Sequence, residues 1–76
     1  MAHHKSLADL NVNESARIVE IACQADLRKR LLEIGFVPGT SVRACRFSPL
    51  GDPVLFEVRG CNIALRRLEA GKIIVK

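Results

Sequence analysis

The side chains best suited to chemistry in this chain are Cys23, Cys45 and Cys61, His3 and His4, and the carboxylates of Asp9 and Asp52. Nucleophilic catalysis needs a thiol or hydroxyl within hydrogen-bond reach of a base. Both histidines sit at the start of the chain, in a tail, where nothing places them beside a serine or cysteine. The GxSxG, Walker, GxGxxG and HExxH patterns are absent. No pair of carboxylates falls evidently on one face. The chain therefore reads as a non-enzyme. Metal ligation has no better support from spacing. The cysteines are odd in number, widely spaced and form no CxxC pair, which argues against a zinc site or a disulfide scaffold. They read as reduced thiols acting as small apolar side chains. His3 and His4 beside a free amine would chelate copper or nickel as a short peptide does, but a tail is the plainer reading. No spacing supports an open-coordination iron site built on Cys61 or Asp52.

Surface contact remains. Pro49, Leu50, Gly51, Asp52 and Pro53 follow Ser48 in the longest loop of the middle of the chain, which holds two of its three prolines. Prolines lower the entropy lost when a loop is fixed on a partner. Leu50 is the apolar anchor of such a contact, and Arg66, Arg67 and the group Arg28, Lys29 and Arg30 steer it towards an acidic surface. The plainer alternative is a rigid connector that holds strand register. Twelve Lys and Arg against eight Asp and Glu give a net charge of +4, which suits an acidic partner but selects none. Proline-peptide recognition needs a groove lined with aromatic side chains, and Phe36, Phe47 and Phe56 are the only aromatics. Single-strand nucleic-acid binding also wants exposed stacking rings. A small nucleic-acid-binding barrel is therefore the alternative rather than the expectation, and exposed Phe36 or Phe47 on a continuous basic surface is the feature that would favour it.

These groups must be positioned by short elements. Ser15 to Cys23 is rich in β-branched residues and reads as a strand. Ile18, Val19 and Ile21 cannot share one face of it, so a bulge or two-sided burial is expected. Asp26 to Gly35 reads as a helix, with Asp26 as its N-cap and Leu27, Leu31 and Ile34 on one face. Gly35 ends it and lets Phe36 pack back onto Leu31. Val37-Pro38-Gly39-Thr40 predicts a type II turn. Thr40 to Phe47, Val54 to Val58 and Ile63 to Arg66 alternate as half-buried strands. Gly60 predicts a II′ hairpin between the last two. Arg67 to Gly71 forms a helical turn, and Lys72 to Lys76 is a closing strand. Leu7 and Leu10 cap the core, and Asn11-Val12-Asn13 turns.

About five short strands in so short a chain must curl to cover their edges. The expected fold is mostly β: a small SH3-like barrel, with one helix after the first strand and a helical turn before the last. Residues 1–6 are expected as a flexible tail and 7–76 as the barrel. No apolar run approaches the roughly 20 residues that span a bilayer. Met1 to Lys5 lacks the apolar stretch of a signal peptide, so a cytoplasmic location is expected.

The run Leu31-Leu32-Glu33-Ile34-Gly35-Phe36-Val37-Pro38-Gly39-Thr40 resembles the FeoA signature of a leucine-rich helix end, a glycine, an apolar residue and Pro-Gly. Pro49 to Val54 is similar to that family's central loop, and Val58-Arg59-Gly60 and Ile63 to Arg67 to its hairpin and basic strand end. Leu7 to Leu10, Glu14 to Ala16 and Ile73 to Val75 resemble its two ends, so the likeness runs from Leu7 almost to the end. Asn13, Cys61 and Leu68 depart from the usual pattern. The resemblance implies a stand-alone, SH3-like domain of bacterial ferrous iron uptake. The implied partner is FeoB, a membrane transporter with a cytoplasmic GTPase domain that the chain would bind and modulate. It leaves open association with a transition metal, a homo-oligomer, and a metal-responsive sensor as the third alternative. No ligand set comes with it.

Overall fold

A computed structural model describes residues 5–76. The period-2 runs of the sequence become strands because each has one face to bury. Lys5–Ser6 (β1), Ser15–Ile21 (β2), Ser41–Phe47 (β3), Val54–Val58 (β4), Cys61–Leu65 (β5) and Ile73–Val75 (β6) pair antiparallel in the order β1-β6-β2-β3-β4-β5. Val42 and Ala44 of β3, Val54, Phe56 and Val58 of β4, and Ile73 and Val75 of β6 face inward. They meet Leu7, Leu10, Ile18, Leu31 and Phe36 in one core, around which the sheet curls as a small SH3-like barrel. Strands β1 and β5 are its two edges.

The barrel begins two residues before the expected boundary at Leu7. Lys5 and Ser6 pair with Val75 and Ile74, and Ser6 is buried. Ser6 also caps a 3₁₀ turn at Leu7–Asp9: its hydroxyl accepts from the Ala8 amide at 3.2 Å, and Asp9 accepts from the Ser6 amide at 2.8 Å. A two-residue strand has no period to betray it. His3 and His4, with the rest of the expected tail, lie outside the described residues.

In β2 the register against β6 shifts between Ile18 and Glu20. Val19 is the additional residue and is exposed, which lets Ile18 and Ile21 both enter the core. A second shift between Ala44 and Arg46 in β3 sets Cys45 apart from the alternation.

The helix runs Ala25–Ile34 (α1), with Gln24 rather than Asp26 at the cap. Asp26 lies inside the first turn, where its charge faces the positive end of the helix dipole. Leu31 is buried with Leu27 and Leu32 packed beside it, whereas Ile34 is exposed. The chain turns at Gly35, and the Phe36 amide bonds the Leu31 carbonyl at 3.0 Å. Phe36 thereby fills the core at that end of α1, and Ile34 is left outside. The expected type II turn follows, with the Thr40 amide on the Val37 carbonyl at 3.0 Å and Gly39 at φ 92°.

The β4–β5 hairpin closes on Val58 and Cys61, so Arg59 and Gly60 are its two central residues. Both have positive φ, 53° and 79°. The turn is therefore type I′ and not II′. Cys61 becomes the first residue of β5. A short helix, Arg67–Ala70 (α2), leads to β6.

Candidate functional site

The bend from β3 to β4 carries the most exposed apolar group of the described surface. Its base closes where the Ser48 amide bonds the Pro53 carbonyl at 3.1 Å, and a turn inside it sets the Gly51 amide on the Ser48 carbonyl at 2.7 Å. Leu50 stands at the tip, 96% exposed.

Arg67 braces this loop from the start of α2. Its amide donates to Asp52 Oδ1 at 2.9 Å, and its Nε donates to the Gly51 carbonyl at 2.7 Å. Its guanidinium also lies 5.3 Å from the centroid of the Phe47 ring. Asp52, considered above as a metal ligand, is thus engaged with a backbone amide. Pro49, Leu50, Gly51, Asp52, Pro53 and Arg67 come together in one constellation. Arg66 flanks it, exposed, with its amide on Glu69 Oε1 at 3.1 Å. Arg28 and Lys29 are exposed on α1, and Arg30 pairs with Glu69 at 3.4 Å.

Beside the loop a shallow concavity of about 480 Å³ is lined by Arg46, Phe47, Ser48, Pro49, Pro53, Leu55 and Ala64. Arg46 and Leu55 were not singled out from sequence, although Leu55 holds an outward position of the β4 alternation where a polar residue would be usual. The Ser48 hydroxyl is buried there without a hydrogen-bond partner among the described residues.

Two ion pairs among the described residues tie the strands and turns of the barrel together. Lys5 Nζ donates to Glu14 at 2.7 Å, and the Asn11 amide donates to the other oxygen at 2.9 Å. The Lys5 bond, and after it the Asn11 amide, hold the Glu14 carboxyl below the usual carboxylate range. Arg43 ties β3 to β4 through Glu57 at 2.8 Å and reaches Asn13 at 3.0 Å.

Cys23 is half-buried against the core and fills space as expected. Cys45 is half-buried too, but Cys61 is exposed and does not act as core. Among the described residues no three histidine, cysteine or carboxylate side chains converge, so they offer no chelating set and lack the ligand cluster that a sensor would need. Phe36 and Phe56 are fully buried, whereas Phe47 is half-buried beside the Arg67 guanidinium. No described helix is long and apolar enough to cross a membrane.

A family model described as the FeoA domain matches residues 5–76. A fusion of Fe(2+) transport protein A with the Fe(2+) transporter FeoB, from Porphyromonas gingivalis, is 39% identical over 92% of this chain. The chain spans only 8% of that relative's length. The solution structure of iron(II) transport protein A from Clostridium thermocellum superposes with a TM-score of 0.90 at 35% identity, covering 95% of this chain and 44% of that one. A zinc-complexed FeoA from Stenotrophomonas maltophilia, described as an SH3 domain protein, gives a TM-score of 0.83 at 33% identity, covering 95% and 89%.

Proposed function

Since this chain belongs to the FeoA family, we propose that it is an accessory of ferrous iron transport that docks on a FeoB-type transporter and modulates it, with no enzyme chemistry of its own. The observation that carries this is Leu50: a large apolar side chain left almost wholly in water at the tip of a loop that Arg67 holds still. An exposed leucine on a floppy loop would lose much of its contact energy to ordering; a braced one does not. The fused relative, which joins protein A and FeoB in one chain, supports the choice of partner. The proposed contact lies on the transporter's cytoplasmic GTPase domain, which places this chain in the cytoplasm.

In the proposed mechanism Leu50 enters an apolar pocket of the partner while Pro49 and Pro53 stiffen its approach. Arg66, with Arg28 and Lys29 at longer range, raises the encounter rate with an acidic surface. Docking then shifts the transporter only by as much as it binds one of its states more tightly. The zinc of the Stenotrophomonas relative leaves room for a metal in this family, but docking requires none.

The test is capture of the transporter's cytoplasmic domain by wild type and Leu50→Asp. Loss of a buried leucine, about 1.5–3 kcal/mol, should weaken binding by at least about tenfold. Equal capture by both proteins would remove the loop from the mechanism. Capture of neither, with tight salt-sensitive binding of RNA or DNA, would favour the nucleic-acid alternative.

A further inference from the structure

Strand β5 is an edge of the sheet, and no described strand pairs with its outer side. Its register with β4 runs without a bulge from Val58 opposite Cys61 to Val54 opposite Leu65. In an antiparallel pair hydrogen-bonded and non-hydrogen-bonded positions alternate, and the pair closing a two-residue hairpin is hydrogen-bonded. Cys61, Ile63 and Leu65 therefore bond β4, and the N–H and C=O groups of Asn62 and Ala64 point to the open side. No described residue outside the ladder bonds them, and both residues are exposed.

Edges are normally protected by shortness, lysine, proline, a bulge or a covering segment. The opposite edge, β1, is two residues long and begins with Lys5. In contrast, β5 is five residues long and carries no charge, no proline and no bulge. Its charges sit just beyond its ends: Arg59 in the turn before it and Arg66 directly after it. Both are exposed, and neither has an ion-pair partner among the described residues. On the outer face, Ala64 opens onto the concavity floored by Leu55.

We infer that the β5 edge is a strand-addition site for an extended partner segment with an apolar middle and acidic ends. Backbone bonds to Asn62 and Ala64 supply the pairing, and carboxylates at the segment's ends meet Arg59 and Arg66. Alternate side chains on the outer face settle beside Ala64, which is small enough to admit them. A second copy of this chain fits poorly, because antiparallel pairing through Asn62 and Ala64 brings Arg59 of one copy to the Arg66 and Arg67 end of the other, like charge to like charge, at both ends. The site borders the Leu50 loop, sharing Arg66 and the concavity beside Pro49 and Pro53, but its backbone pairing does not depend on docking through Leu50.

The test is an NMR titration with a short synthetic peptide of alternating valine and threonine and a glutamate at each end. Shifts and slowed exchange are expected at the Asn62 and Ala64 amides, with affinity about tenfold weaker when lysines replace the glutamates. Ala64→Pro removes an outward N–H without touching the β4 ladder, and should abolish the response while the other amides keep their dispersion. If that variant does not fold, the paired change Arg59→Glu and Arg66→Glu should reverse the preference to the lysine peptide. Equal affinity for both peptides, shifts confined to Pro49–Pro53, or no response would overturn the site. So would a peptide-independent, concentration-dependent change at Asn62 and Ala64, which would mark the edge as self-pairing.

Discussion

Arg67 shows how one side chain converts a loop into a tool. Its backbone amide holds Asp52, its Nε holds the Gly51 carbonyl, and its charge lies over Phe47. Arg67→Ala keeps the first bond and loses the other two, so the expected loss of stability is about 1 kcal/mol. The loop should feel it more than the fold: exchange of the Gly51 amide should quicken, and binding of the transporter's domain should weaken although Leu50 is intact. Unchanged exchange at Gly51 would show that the brace is idle. Glu14 makes a prediction in pH. Its carboxyl lies below the usual range in the fold, so its contribution is full above the ordinary value. It fades as pH falls from about 5 through the lowered folded value. Because the group is on the surface the effect is small. Glu14→Gln should flatten the acid limb of a plot of urea midpoint against pH and leave the neutral limb parallel to wild type.

At the scale of elements, the turns set how the strands meet. The I′ turn asks for positive φ at both Arg59 and Gly60, and Arg59 is an unusual residue to accept it. Arg59→Asn, which visits that region at lower cost, should raise stability by about 0.5 kcal/mol in urea unfolding. The same variant should weaken the glutamate-ended peptide at β5, since it removes one of the two flanking cations. A stabilised hairpin with undiminished peptide affinity would separate Arg59 from the site. The bulges are equally purposeful. The one in β2 reconciles Ile18 and Ile21 with a single core, and the one beside Cys45 breaks the alternation of β3 shortly before the chain enters the loop.

At the scale of the whole molecule, the core is small enough for one ring to matter. Domains of this length hold about 4–11 kcal/mol of stability. Truncating a buried phenylalanine costs about 3–5 kcal/mol. Phe56→Ala, or Phe36→Ala at the end of α1, should therefore leave a protein that melts tens of degrees lower by calorimetry or does not fold. A fall of only a few degrees would mean that the core collapses into the gap. The sequence by itself determined the strand alternation, the helix, the Pro-Gly turn, the family likeness and the inward residues, because period and turn chemistry are local. Asp26 as a cap, Ile34 as core and Gly60 as the first turn residue were misplaced by one or a few positions, since only tertiary packing chooses among adjacent registers. The pairing of Lys5 and Ser6, the brace from Arg67 across to Asp52, and the bare edge of β5 were decided by tertiary structure alone. Each joins, or fails to join, residues far apart in the chain, and no local pattern records which strand ends at the margin of a sheet.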